Sequence, residues 1–502
     1  MHQQIISENI MKQYKLIFIT GLLSILFYTS GFSQRITSYW MKNLPQGNYL
    51  NPAKESGCKI FIDIPVLPNF DINLTHSGFT INDAIKQHPF YLDSFMIDLD
   101  GIEKALKTGN NINAETEISI LNFGLALKND LNISFGVNYK LSEFFEYPKA
   151  LIELRRGNYR KNETPLAFNF RQNLNLYREI YIGASKNFNN TLYLGAKLKY
   201  LSGYANIKTN KMDLEWYTSI KPEDMYDWTF NSDFDINAAS IIPWNFTDSA
   251  GQINGIDIDT TLISNPSSDL SSLLFPKNTG LGIDLGIEYI LNNRLTLSAS
   301  LIDFGYISWK TNSKIMTQQA TFKFSGLDIA KYIGNLNDTT GENTTLGEKI
   351  KNDMIDTLMN VFNPTIEETA YRTSLNSKIY LGANLKITNW LNTGFLYKGI
   401  FFNKSLISAW SFSANANLFK ALSYSVSYTI MNASANNIGM GLAYKAGPFQ
   451  MYLITDNMAA PFWAVNGSNF SDEWLKNTKT FNFSFGLNFL ICGNKYDIGL
   501  ME

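Results

Sequence analysis

The sequence is poor in the residues that carry most site chemistry: 502 residues hold two cysteines and three histidines. Two cysteines exclude a disulfide-rich scaffold and a cysteine-based zinc site. His2, His76 and His88 leave little material for metal or acid–base chemistry, so neither a cofactor nor an enzyme is expected. A formal net charge of -2 lacks the basic excess that phosphate backbones demand, which excludes nucleic acid as a partner. Pro- or Ser-rich linkers and breaks in composition are missing too, so the chain does not read as two or three soluble domains. After residue 34 no stretch approaches the roughly 20 apolar residues of a transmembrane helix.

Aromatic residues, by contrast, are abundant: 35 Phe and 26 Tyr, with aromatics at 14%. Mean hydropathy is nevertheless only -0.12. That combination suits strands with one apolar and one polar face better than helices buried all round. The start of the chain reads as an export signal. Lys12 and Lys15 precede an apolar run over 16–28, and Gly31-Phe32-Ser33 offers small residues at the two positions a signal peptidase reads. Cleavage is expected before Gln34, with Met11 as the natural start and no cysteine there for a lipid anchor. The mature chain is then periplasmic, secreted, or a barrel in the outer membrane of a Gram-negative cell.

Alternation decides among these. Leu422, Tyr424, Val426, Tyr428 and Ile430 are separated by Ser423, Ser425, Ser427 and Thr429. The same period of two runs through 132–140, 281–289 and 481–489, the mark of strands with two unlike faces. Turn-forming residues near 129–130, 189–190, 292–293, 388–389, 420 and 447–448 mark tight connections. Long connections lie near 76–115, 142–171, 209–278 and 311–370, with shorter ones near 403–405, 433–435 and 457–477. Tight and long connections take strict turns, the pattern of periplasmic turns and extracellular loops in outer-membrane barrels.

The expected fold is therefore all-β: a closed antiparallel transmembrane β-barrel of about 14 strands over 58–492, followed by a periplasmic tail at 493–502. Alternating stretches at 212–218 and 320–325 are placed in loop hairpins; if they cross the membrane, the count is 16. Short helices are expected in the loops at 80–87, 148–154 and 345–362.

Parity assigns the lumen. Lys140, Asp284, Glu288, Arg372, Lys378 and Lys398 fall on the polar face, joined by Asn376, Asn384 and Lys386, because a charge facing lipid costs roughly 2–4 kcal/mol at mid-membrane. These residues line a polar path or fill the barrel with salt bridges. Ser484, Gly486, Phe489 and Ile491 match the last-strand pattern read by the outer-membrane assembly machinery, which makes that machinery and outer-membrane lipid expected partners. Cys58 opens the first strand and Cys492 closes the last. Barrel closure makes those strands neighbours, so the two cysteines are expected close together, with a disulfide across the seam as a hypothesis in an oxidising periplasm.

Other constellations read as ordinary surface. Neither His76 nor His88 sits in a nucleophile motif. Gly280, Gly282 and Gly286 lie inside an alternating strand, not before a helix, so they relieve crowding rather than cradle phosphate. The Asp98-x-Asp100 and Asp257-x-Asp259 pairs lack the later carboxylate of a calcium loop.

Asn43-Leu44-Pro45-Gln46, Asn51-Pro52-Ala53, Cys58-Lys59-Ile60-Phe61, Tyr177-Arg178-Glu179 with Gly183, 194–201, Asp303-Phe304-Gly305 and Thr455-Asp456-Asn457 together resemble an uncharacterised family of Bacteroidota outer-membrane barrels. Asn51, Pro52 and Ala53 are also similar, more distantly, to the long-chain fatty-acid transporter family. That resemblance implies a hatch over 34–57 and passage of a hydrophobic ligand, although nothing beyond the tripeptide matches that family's ligand-binding residues. Two functions follow. One is a hatch-plugged barrel that binds or moves a hydrophobic or amphipathic small molecule, which predicts an apolar pocket or lateral gap. The other is a structural or secretion- or gliding-associated barrel acting through protein partners, which predicts an occluded lumen.

Overall fold

The computed structural model describes residues 35–64, 69–91, 94–160, 164–221, 225–247, 253–259, 270–325, 363–402, 405–418, 421–431, 434–458 and 479–492. The leader at 1–33, the helix expected at 345–362 and the tail at 493–502 lie outside the described residues.

The alternating segments form fourteen staves. They are β1 (Ile60–Asp63 with Asn69–His76), β2 (Gly109–Ala126), β3 (Leu131–Pro148), β4 (Arg171–Phe188), β5 (Leu192–Lys221), β6 (Thr279–Ile290) and β7 (Leu295–Trp309). The remainder are β8 (Tyr371–Ser374 with Lys378–Lys386), β9 (Leu391–Phe402), β10 (Ser405–Leu418), β11 (Leu422–Met431), β12 (Ser434–Ala446), β13 (Phe449–Thr455) and β14 (Thr480–Ile491). Each pairs antiparallel with its neighbours. β14 returns to β1, with Ile62 opposite Phe489 and Phe70 opposite Phe485, and so closes the sheet. Closure removes the free edges that would otherwise template aggregation.

The tight turns behave as their residues demand. Asn129 and Asp130 have φ of 60° and 56°, and Asn189 and Asn190 have 56° and 57°. Two consecutive left-handed residues match the right-handed twist of the flanking strands, and Asn and Asp tolerate that conformation best among non-glycines.

The barrel is inside-out relative to a soluble protein. Along β14, Asn482, Ser484, Gly486 and Asn488 are buried in the lumen, while Phe481, Phe483, Phe485, Leu487 and Phe489 point away from it. Across the wall, Asn122, Ser425 and Asn482 are wholly buried, whereas Ile182, Leu198, Leu281 and Phe304 are more than half exposed. Water would penalise that arrangement; a bilayer requires it. The chain folds as an outer-membrane β-barrel.

Above the wall the sheet forks. β6 pairs with β5 only over Leu192–Ser202 of the latter. From Ala205 to Lys221, β5 pairs instead with Met225–Ser240, which pairs in turn with Ser313–Phe324, and that with Thr365–Glu368. The stretches at 212–218 and 320–325 belong to this projecting sheet, so the barrel has fourteen staves and not sixteen. For the same reason β5 runs well past the length that membrane thickness predicts.

Among the described residues the loop helices are short. α1 (Ile81–Ala84) starts at Thr80, whose hydroxyl accepts from the Asp83 amide in a capping box. It stops after one turn because Ile85–Gln87 pairs with Phe95–Ile97. α2 (Leu99–Ala105), which the sequence reading did not anticipate, packs Ile102 and Leu106 against Tyr147. α3 (Ala150–Glu153) follows β3, in the region expected to be helical.

Candidate functional site: a filled lumen

Residues 35–57 lie inside the barrel and are mostly buried, with Lys42, Asn43 and Gly57 exposed. They form two short 3-10 turns, Ile36–Ser38 and Pro45–Tyr49, and are tied to the wall by polar contacts. The amides of Ile36 and Thr37 donate to the Asp456 carboxylate at 3.1 and 2.8 Å. Thr37 Oγ1 lies 2.6 Å from Ser427 Oγ, and the Tyr39 hydroxyl 3.0 Å from Ser298 Oγ. Gln46 Nε2 donates to Asn488 at 2.7 Å, and the Tyr49 hydroxyl to Asp63 at 2.9 Å.

The tripeptide Asn51-Pro52-Ala53 has a specific place. Asn51 Oδ1 accepts from the Ala53 amide at 2.9 Å, and its Nδ2 donates to the Ile287 carbonyl at 3.2 Å. Gly195 of β5 and Gly286 of β6 sit directly against these residues, where any side chain would collide with Asn51, Pro52 or Ala53. The wall glycines make room for the segment. Trp40 uses the same device, lying over Gly382 and Gly394 while its indole N–H donates to the Phe395 carbonyl at 3.2 Å.

Next to this segment lies a network of charge. Lys199 Nζ is 2.7 Å from both Asp284 and Asp303 and 3.0 Å from Glu179. Lys140 reaches Glu179 at 2.9 Å and Asp303 at 3.2 Å; Lys378 reaches Asp303 at 3.3 Å and Glu115 at 3.4 Å. Arg35, the first described residue, pairs with Asp71 at 3.0 Å and Glu117 at 3.6 Å. Burying a charge is strongly unfavourable unless it is paired and hydrogen-bonded, so these ions hold one another in place.

Asp303 is the hub, and a local irregularity puts it there. The β6–β7 register shifts between Ile283 and Leu285, giving β7 an extra residue. Asp303 takes φ of 58°, and its amide donates to Asp284 Oδ1 at 2.7 Å. The bulge turns its carboxylate inward among three lysines.

Most residues assigned by parity do face the lumen. Lys140, Asp284 and Lys378 belong to the network, and Glu288 lies 3.9 Å from Lys54 of the N-terminal segment. Lys398 is 1% exposed, with Nζ 5.9 Å from the Tyr380 ring centroid and no hydrogen-bond partner among the described residues. Asn376 donates to Ser142 and Asn384 to Asn392, at 3.0 and 2.8 Å. Lys386, at the periplasmic end of β8, is partly exposed.

Arg372 is the exception and corrects that assignment. It is exposed, stacks over the Tyr306 ring at 5.0 Å and donates to Ser308, outside the lumen. β8 is interrupted at 375–377, which reverses its parity: Thr373 and Leu375 are buried above the break, Tyr380 and Asn384 below it.

Ser484 and Gly486 of the terminal pattern face the lumen, against Asp71 and Asn69, while Phe489 and Ile491 face outward. Cys58 and Cys492 are joined by a disulfide, Cα atoms 4.1 Å apart, at the seam where the N-terminal segment enters β1. His76 bonds the Phe79 carbonyl and the Tyr147 hydroxyl, and His88 caps a turn at Phe90 and Tyr91. Asp98 precedes α2 and pairs with Lys86; Asp100 pairs with Arg155.

The network residues that the sequence reading did not assign to the lumen are Arg35, Asp71, Glu115, Glu117, Glu179, Lys199 and Asp303, although Glu179, Lys199 and Asp303 fall in the motifs of the family resemblance. Glu179 and Lys199 were accessible to the same parity rule, on β4 and β5. Asp303 was not, because a bulge breaks the period. Among the described residues, the lumen holds a cavity of about 70 Å³ bounded by Arg35, Glu115, Lys140, Glu179 and Asp303, and one of about 30 Å³ near Cys58.

Residues 52–456, from the tripeptide to the carboxylate that receives the Ile36 and Thr37 amides, match a family of unknown function, DUF5723. The chain belongs to this family. No curated protein matches this chain. Among solved structures it is similar to the toluene transporter TbuX of Ralstonia pickettii, at 10% identity and a TM-score of 0.36 over 93% of this chain and 100% of that one. It is similar also to a FadL homologue of Pseudomonas aeruginosa, at 8% identity and a TM-score of 0.38 over 93% and 100%. A third is the toluene transporter TodX of Pseudomonas putida, at 9% identity and a TM-score of 0.29 over 85% and 88%. At such identities and scores the likeness adds nothing to the fold read from the strand register.

Proposed function

We propose that this protein is a closed outer-membrane barrel that works through protein partners, with residues 34–57 as a plug and no catalytic role. It reaches its place through a cleaved leader at 1–33 and the outer-membrane assembly machinery. The observation that carries this reading is the filled lumen. The plug and the ion network leave an internal cavity of about 70 Å³ lined by charged groups, whereas sites for hydrophobic small molecules are mostly apolar and span roughly 300–1,000 Å³.

A second reading keeps the barrel as a conduit for a hydrophobic or amphipathic molecule. What favours it is that residues 35–57 contact the wall through side chains and turns and add no strand to the sheet, so the plug is a separable element. Two measurements on the full-length barrel in planar bilayers and detergent distinguish the readings. The closed-barrel reading predicts no steady conductance and no saturable binding of a fluorescent long-chain fatty acid. It also predicts that a photoreactive residue at Trp228, on the projecting sheet, captures one defined protein in cells. Saturable fatty-acid binding abolished by packing changes in the plug, with no captured protein, would replace it with the conduit.

A further inference from the structure

The barrel also carries a hollow on its outside. Between β7 and β12 the lipid-facing wall holds a recess of about 650 Å³, where small Ala383, Gly394 and Ala414 stand among large Leu385, Phe395 and Phe412. Leu385 and Phe395 lie within a few residues of the β8–β9 turn, so the recess sits in the periplasmic half of the membrane. Its volume falls inside the roughly 300–1,000 Å³ typical of small-molecule sites. On the other side of the same backbone, Trp40 of the plug rests on Gly394.

We propose that this recess is a binding site for one hydrocarbon chain of a phospholipid in the periplasmic leaflet. Two physical reasons select that occupant. The recess is continuous with the lipid-facing wall, so what reaches it comes from the bilayer core, and no charged side chain borders it to hold a headgroup or a polar solute. An apolar recess left empty forfeits dispersion contacts along its whole lining, and no water is present at that depth to fill it. The chain lies against strands whose inner face carries Trp40, so its occupancy also braces the wall where the plug leans on it. This inference is independent of whether the barrel acts through partners or as a conduit.

The test uses the full-length barrel reconstituted in vesicles of palmitoyl-oleoyl phosphatidylethanolamine, re-extracted in mild detergent and examined by native mass spectrometry. Wild type should keep one phospholipid through a detergent exchange that strips the rest. Ala414→Phe and Ala383→Leu, which fill the recess, should lower that retention by roughly tenfold or more, while Leu198→Phe on β5, outside the recess, leaves it unchanged. Heat-modifiable electrophoretic mobility reports which variants are folded. A phospholipid with a photoreactive acyl chain gives a readout free of any variant, and should label the β9 and β10 peptides. Lipid retained equally by the filled variants, none retained by wild type, or label spread evenly around the wall would overturn the proposal. So would a wild-type dimer that Ala414→Phe dissociates, since a second copy would then be the occupant.

Discussion

A single carboxylate organises the interior. Asp303 accepts from Lys140, Lys199 and Lys378 at 2.7 to 3.3 Å. Replacing it with Asn removes the charge while preserving shape, leaving three buried ammonium groups short of a counter-ion. Breaking a buried pair from one side costs about 3–5 kcal/mol. Asp303→Asn should therefore lower the urea midpoint of the detergent-solubilised barrel by an amount corresponding to that loss, and an unchanged midpoint would show that the network does not carry load. Gly394 is the second test at this scale. Gly394→Val places a branched side chain in the volume of the Trp40 ring. It should displace Trp40 and raise hydrogen exchange over 36–50 while the staves stay protected.

Parity made the lumen legible residue by residue, and its failures have local causes. Lys140, Asp284, Glu288, Lys378 and Lys398 follow from a period of two because the lipid face tolerates no charge. Arg372 was misplaced because the interruption at 375–377 reverses the period. Asp303 escaped because a bulge turns an apparently outward position inward. Neither event leaves a mark in composition: both are products of strand pairing.

At the scale of elements, the plug and the loops differ in how they are held. Deleting 35–50 removes the contacts to Asp456, Ser427, Ser298 and Asn488 but no strand pairing. The shortened barrel should fold and should show a steady conductance in planar bilayers that the full chain lacks; a silent bilayer would mean that the ion network alone closes the lumen. The extracellular base around α2 is held by ions instead. Hydrogen bonds from Arg155 hold the Asp100 and Glu103 carboxyls below their ordinary range, and Lys86 does the same to Asp98. Such depressed carboxylates stabilise the folded loop fully above about pH 4.5 and lose that contribution as pH falls through their lowered values. Hydrogen exchange over 98–106 should rise in acid while β14 stays protected, and exchange independent of pH would contradict the ionic clasp. Stave positions were readable from alternation and turn residues. The projecting sheet was readable only in the alternating stretches 212–218 and 320–325, because above the membrane neither face has to be apolar.

For the whole molecule the decisive features are closure and a filled interior. The disulfide between Cys58 and Cys492 ties residues 434 apart in sequence at the seam. Replacing both with serine should lower the unfolding midpoint by an amount corresponding to roughly 2–4 kcal/mol. The barrel should still assemble, because β1 and β14 pair through the strand register on their own. A variant that fails to assemble would make the bond a requirement of folding instead of a staple. The central claim, that the N-terminal segment sits inside a closed barrel, has a direct test. In a Cys58→Ser, Cys492→Ser background, cysteines replace Thr37 and Ser427, whose hydroxyls lie 2.6 Å apart, and the protein is oxidised in intact outer membranes. A near-quantitative intramolecular cross-link in the heat-modifiable, folded form is the predicted result; a folded barrel in which both thiols stay free would contradict it.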